Sequence, residues 1–315
     1  MGETTVYNST GSSSTSGDDG GVPIVDTADG GVTTRLMVLG LAHTDGTVVG
    51  TELYRVATEC GISVETVRSC IRRLIAEGLF EREGEGRDAI FHATESGLAA
   101  LDVDHQRHLL AYAQDLAGKG WDRLWHMVAF AIPESQRAAR DSFREHVLHL
   151  GGAQVHPGIY ASPHPWEEEV RADAARLGIA GHVSTWSTDD LQLGGVGDPR
   201  IIASELWNLN EVAALYEGFT ASYREVPERL QEMRDRGEKL SEHDFLPGAL
   251  HIAIRFNACF EHDPLLPPEL LPRPWPGREA RELLAKCRRL GVLSRSEKSG
   301  PALFRVFDDA IAHLP

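Results

Sequence analysis

Between residues 51 and 78 the apolar positions fall into two short helical sets joined by a tight turn. Leu53, Val56 and Ala57 mark the inner face of a first helix, and Val67, Ile71, Leu74 and Ile75 that of a second. Cys60-Gly61-Ile62 makes the turn, Ser63 stands where an N-cap belongs, and Gly78 is placed to stop the second helix. The outer face of that second helix carries Glu65, Thr66, Arg68, Ser69, Arg72 and Arg73. This is the plan of a helix-turn-helix, whose second helix lies in the DNA major groove with its early residues on base edges. Upstream, residues 32–44 put Leu36, Leu39 and Gly40 on one side, as a supporting helix would. Downstream, LFERE, GEGRD and AIFHAT (79–94) read as strand, turn and strand, a wing from which Arg82 or Arg87 reaches phosphates or the minor groove. The other use of such a head is contact with protein alone.

Residues 96–120 continue as helix, either a rigid lever or a linker. A second unit starts at Trp121: strand 123–133, helix 134–150 with Ala138, Phe143, Val147 and Leu150 inward, strand 153–163, helix 166–179 and strand 182–191. That β-α-β-α-β order predicts a small ferredoxin-like or split βαβ layer with its helices on one sheet face. From Asp198 the pattern is mainly helical, with Ile202, Leu206, Val212, Leu215 and Phe219 as core candidates. A charged helix follows over 228–240, an apolar one over 248–260 and a last one over 278–290. Between the last two lies DPLLPPELLPRPWPG (263–277), whose six prolines exclude helix and central strand. It is expected to run extended over its neighbours, anchored by Leu265, Leu266, Leu270, Leu271 and Trp275, and to brace a dimer interface. The fold class is therefore α+β and multidomain. Its parts are a disordered tail (1–31), a winged helix-turn-helix (32–95), a helical linker (96–120), a ferredoxin-like domain (121–197) and a helical C-terminal domain (198–315).

Charge complicates the DNA reading. The chain of 315 residues has a net charge of −16, and residues 32–95 hold seven arginines against ten acids. The positive groups are nevertheless concentrated on the second helix, where weak non-specific affinity leaves base contacts to decide and dimerisation supplies the rest. Arg68 and Arg72 share a helix face, suited to bidentate contacts with guanine or to holding phosphates. Four scattered cysteines lack metal-knuckle spacing and read as reduced, buried thiols. With no secretory signal and no membrane-length apolar run, the expected compartment is the cytoplasm. The pairs His146/His149 and His105/His108 read as solvated surface, and LGGVGDP (193–199) as a plain loop. An enzyme is the rival class, yet the first middle strand ends Ala131-Ile132-Pro133-Glu134 with one acid, and Asp189-Asp190 reads as a turn. No catalytic residue or cofactor is assigned. A third class is a scaffold that binds protein through the Pro-rich run.

The ordered chain, over roughly 32–300, resembles the PaaX family of bacterial transcriptional repressors. The likeness rests on VRSCIRRLIAEGLF (67–80), HPGIYASP (156–163), LWNLNEVAALYEGF (206–219) and, above all, DPLLPPELLPRPWPG. It implies a homodimeric repressor on a double-stranded DNA operator, released by a small-molecule effector such as an aryl- or acyl-coenzyme A thioester. It also implies a middle domain like the small ferredoxin-like endonucleases of CRISPR adaptation. Such an effector calls for cations, an aromatic face and an apolar slot. Tyr160, Trp166, Trp186, Arg200, Trp207, Tyr216 and Arg255 are the candidates, with core packing the alternative for each tryptophan.

Overall fold

The computed structural model describes residues 30–117, 120–296 and 300–305, so nearly all of the tail expected over 1–31 lies outside the described residues. The head runs α1 (Gly30–Gly40), β1 (Thr47–Val49), α2 (Gly50–Glu59), α3 (Val64–Ala76), β2 (Phe80–Glu83) and β3 (Ile90–Ala93). Its three strands pair in the order β1-β3-β2, antiparallel throughout. The short β1 was not expected, although Thr47-Val48-Val49 is a run of β-branched residues suited to a strand. Met37, Val38 and Leu41 of α1 meet the inner faces of α2 and α3 in one core. That core does not close within the head, because Leu246 and Leu250, far along the chain, are buried in it.

The long α4 (Glu95–Ala117) leaves the head and docks on the Pro-rich segment through Arg107 and Gln114, and on the C-terminal helices through Ala111, instead of standing free. The middle unit then runs β4 (Trp125–Phe130), α5 (Arg137–His149), β5 (Ala153–His156), β6 (Ile159–Ser162), α6 (Glu167–Arg176) and β7 (Val183–Thr188). The stretch 153–163, expected as one strand, is a hairpin that turns at Pro157-Gly158. A Pro-Gly pair punctuates even an apolar run, because proline gives up its donor and glycine takes the positive φ of +78°. The order is therefore β-α-β-β-α-β and the sheet is β5-β6-β4-β7, all antiparallel. Helices α5 and α6 cover one face through Phe143, Val147, Val170 and Ala174. Ala138, expected inward, is exposed and Ala139 packs in its place.

The C-terminal unit consists of α7 (Pro199–Leu206), α8 (Leu209–Tyr223), α9 (Val226–Asp235), α10 (Glu242–Phe260) and α11 (Pro276–Ser294). Its Pro-rich segment does not lie over a surface. Leu266, Leu270 and Leu271 are buried against Trp125, Met127 and Ala161 on the second face of the middle sheet, while Leu265 enters the core of α8 and α10. The segment is thus the shared core between two units, with its Arg273–Pro274 bond cis.

Candidate nucleic-acid interface

The outward face of α3 is set by its two ends. The Ser63 hydroxyl accepts from the Thr66 backbone N–H at 3.1 Å and meets the Thr66 hydroxyl at 2.8 Å. Both side chains thus work as a helix cap before they meet any ligand. Before the cap, Gly61 at φ +67° ends α2, with the Gly61 N–H on Thr58 and the Ile62 N–H on Ala57. After α3, Gly78 at φ +74° repeats this pattern, with the Gly78 N–H on Ile75 and the Leu79 N–H on Leu74. Both are Schellman closures that fix the helix lengths. Val67, Cys70, Ile71 and Leu74 are buried, which turns Glu65, Arg68, Arg72 and Arg73 to solvent with Thr66 and Ser69 half-buried beside them.

The charges on that face are mostly free. Arg68 leans on Glu65 at 3.4 Å, an exposed pair worth little. Glu77, which would otherwise screen the helix end, is held by Arg35 at 2.7 Å. Arg72 and Arg73 have no partner among the described residues. The opposite side of the head is fixed to the body: Arg55 pairs with Glu242 at 2.5 Å, Glu59 with His243 at 3.2 Å, and Glu52 with Arg305.

The wing presents charges of both signs. All of residues 81–88 are exposed, but Glu81, Glu83, Glu85 and Asp88 outnumber Arg82 and Arg87. The Arg87 guanidinium lies 5.9 Å from the Tyr54 ring centre, turned back on the head. Of the two wing arginines, Arg82 alone stands unpartnered among the described residues.

The seven effector candidates are not brought together. Tyr160 and Trp166 are in the core under α5 and α6, Trp207 is in the core of the other sheet face, and Tyr216 is in the core of α8 and α10. Trp207 donates its indole N–H to the Gly151 carbonyl and Tyr216 its hydroxyl to Asp263, so both polar ends are occupied. Trp186 is exposed on the edge strand β7, Arg200 donates to the Glu269 carbonyl, and Arg255 is exposed on α10. In Tyr160, Trp166, Trp207 and Tyr216, size and aromaticity signalled burial.

Other groups behave as protein chemistry dictates. Burial pushes the Cys60 and Cys287 thiols up to about 12 and raises those of Cys70 and Cys259, and all four are free cysteines. Glu134, the acid after the first middle strand, is held by Arg140 at 2.8 Å. His108, expected on the surface, stacks on Phe260 with ring centres 4.1 Å apart. Among the described residues no group of three His, Cys, Asp or Glu side chains is placed to hold a metal ion, and no helix is long and apolar enough to cross a membrane.

Residues 118–200 match the family model described as the PaaX protein central Cas2-like domain, and residues 207–297 that of the PaaX-like protein C-terminal domain. The chain is 26% identical to the transcriptional repressor PaaX of Escherichia coli (strain K12) over 243 residues, 77% of this chain and 74% of that protein. A solved structure, the uncharacterized protein Rv0674 from Mycobacterium tuberculosis, is 21% identical, with 84% of this chain and 97% of that one covered at a TM-score of 0.49. A four-stranded sheet sealed on one face by two helices and on the other by a proline-rich segment from the helical unit is what the two adjacent matches span. By that architecture and by sequence, the chain belongs to the PaaX family.

Proposed function

We propose that the protein is a sequence-specific transcriptional repressor that reads DNA through a winged helix-turn-helix. The observation that carries this reading is the polar face of α3, capped at both ends and open to solvent, with Arg72 and Arg73 unpaired among the described residues. In that reading α3 lies in the major groove, Arg68 and Arg72 meet base edges, and Arg73 meets the backbone. Glu65 and Ser69 lie on the same stripe. Ser63 and Thr66 shape the helix end that enters the groove. The acidic wing adds little phosphate affinity, with Arg82 its single contact and Arg87 a support for Tyr54.

The E. coli relative, a transcriptional repressor, supports the same class of activity. Operation as a dimer would double the base contacts, which suits an anionic chain whose single head has little non-specific attraction. Release by a small-molecule effector belongs to the proposal as well. Because the seven aromatic and basic candidates are divided among separate cores and surfaces, it does not rest on a coenzyme A site built from them.

A mobility-shift titration on the DNA upstream of the protein's own gene tests the reading. Arg72→Ala should lose about 1–3 kcal/mol of operator binding with little change on unrelated duplex. An equal loss on all sequences would reduce Arg72 to a phosphate contact and remove the base-reading role.

A further inference from the structure

Between head and body lies a cleft of about 890 Å³. This is within the ~300–1,000 Å³ that small-molecule sites occupy. Its head wall is α1, the loop after it and Leu79. Its body wall is α4, the last turn of α10 and Phe304. The interior is apolar, with Leu39, Leu79, Leu101, Leu109 and Phe304 facing it, and Leu98 at the mouth is 45% exposed.

The polar groups decide what fits. Of the charged side chains lining the cleft, Arg35 is held by Glu77 at 2.7 Å, whereas Asp102 and Glu261 are carboxylates with no paired cation among the described residues. Glu261 accepts from the Asn257 amide at 2.7 Å and Asp102 from Gln106 at 3.4 Å, which leaves both with open lone pairs. His43 is engaged by Glu52 at 3.2 Å, and His105 also has a partner. An anion entering here meets two carboxylates and, among the described residues, one guanidinium already shared with Glu77.

We propose that this cleft is a regulatory ligand site for a compact apolar molecule that carries no phosphate, sulfonate or carboxylate and presents a neutral or cationic hydrogen-bond donor to Asp102 and Glu261. The walls belong to the DNA-reading head and to the body. An occupant that favours one head–body arrangement over another therefore changes operator affinity by the same factor as the operator changes its own. The regulatory half rests on the repressor reading, and the binding half does not.

Two dyes sharing one ring frame test it on the full chain: neutral N-phenyl-1-naphthylamine, and 1-anilinonaphthalene-8-sulfonate, which adds one negative charge. The neutral dye should bind saturably and the sulfonate about tenfold more weakly or worse, since like charges face each other in the mouth. Ala100→Trp and Thr44→Trp fill the cleft from opposite walls at exposed positions, and each should abolish saturable binding without lowering the melting temperature. Asp102→Asn with Glu261→Gln should close most of the gap between the dyes. Equal affinity for the two dyes in the unmodified chain, displacement of the neutral dye by butyryl-coenzyme A at matched concentration, or wild-type binding in both tryptophan variants would overturn the proposal. Saturating neutral dye should release operator DNA. Binding without release removes the regulatory half alone, and a dye-free chain that ignores its operator fails the repressor reading instead.

Discussion

At the scale of single residues, Asp263, the first residue of the Pro-rich run, shows how much one side chain can hold. Its Oδ2 accepts from the Tyr216 hydroxyl at 2.8 Å and faces the Arg281 guanidinium at 3.5 Å, and its Oδ1 accepts from the Leu265 N–H at 2.8 Å. Arg281 in turn grips Asp115 through two bonds of 2.6 and 2.9 Å. Burial works against the Arg281 charge, but its hydrogen bonds to Asp115 and the charges of Asp115 and Asp263 outweigh it and hold the guanidinium protonated. Burial, with the Asp263 charge second, pushes the Tyr216 phenol well up, so it stays a donor. The cluster joins α4, α8, the Pro-rich segment and α11. It also holds Leu265 at φ +53°, a strained value for a side chain of that size, with the Leu265 carbonyl accepting from Gln114 and His164. Asp263→Ala orphans the Tyr216 hydroxyl and removes half of the charge around Arg281. It should cost about 3 kcal/mol or more in urea unfolding, as one-sided loss of a buried pair does. A change within about 0.5 kcal/mol, as at an ordinary surface site, would reject the cluster as a structural joint.

Among elements, what the sequence makes legible is whatever depends on near neighbours. The span of α3, its caps and its polar stripe all follow from spacing and from Ser63, Gly61 and Gly78, and so the candidate DNA face could be read before any coordinates. What covers a face is a matter of distant residues, and there sequence reasoning stopped. The leucine pairs of the Pro-rich run proved to serve two cores, Leu265 one and Leu266, Leu270 and Leu271 another, which no period in a structureless segment encodes. The effector candidates lie apart for the same reason, since an indole is as apt for a core as for a ligand. A second hidden link is His126 on β4, whose ring nitrogens meet Glu167 of α6 at 2.6 Å and Asp122 at 3.1 Å. Burial raises the Glu167 pKa, but the bond to His126, the backbone N–H bonds of Glu167 and Trp166 and the His126 charge together outweigh it, and the carboxyl lies below its ordinary 4.5. A carboxyl depressed in the fold stabilises above its unfolded value and loses that contribution as pH falls through the folded one. Stability should therefore fall more steeply below about pH 4.5 in the native chain than in Glu167→Gln, measured by urea midpoints at stepped pH. Parallel pH profiles would remove the clamp.

At the scale of the whole molecule, the head is not a bead on a string. The net charge of −16 leaves it little general attraction to DNA, so its placement matters. That placement is set by Leu246 and Leu250 of α10, both within 1% of full burial in the head's own core, and by the ion pairs of Arg55, Glu59 and Glu52. Two units that share a core lose it together, so head and body should unfold in one transition. The sequence supplies a clean probe. All six tryptophans, from Trp121 to Trp275, lie outside the head, so indole fluorescence reports the body alone while far-ultraviolet ellipticity reports both. The two urea transitions should superimpose. Leu250→Ala should shift them together by about 2–5 kcal/mol, the cost of a large-to-small change in a packed core. The same variant should weaken operator binding although Leu250 is on the side of the head away from the polar face of α3. An ellipticity change preceding the fluorescence change, with Leu250→Ala acting on the early phase only, would mean that the head is merely tethered. A tethered head would also leave the cleft at the joint with no fixed walls, and no ligand there could then control the reading of DNA.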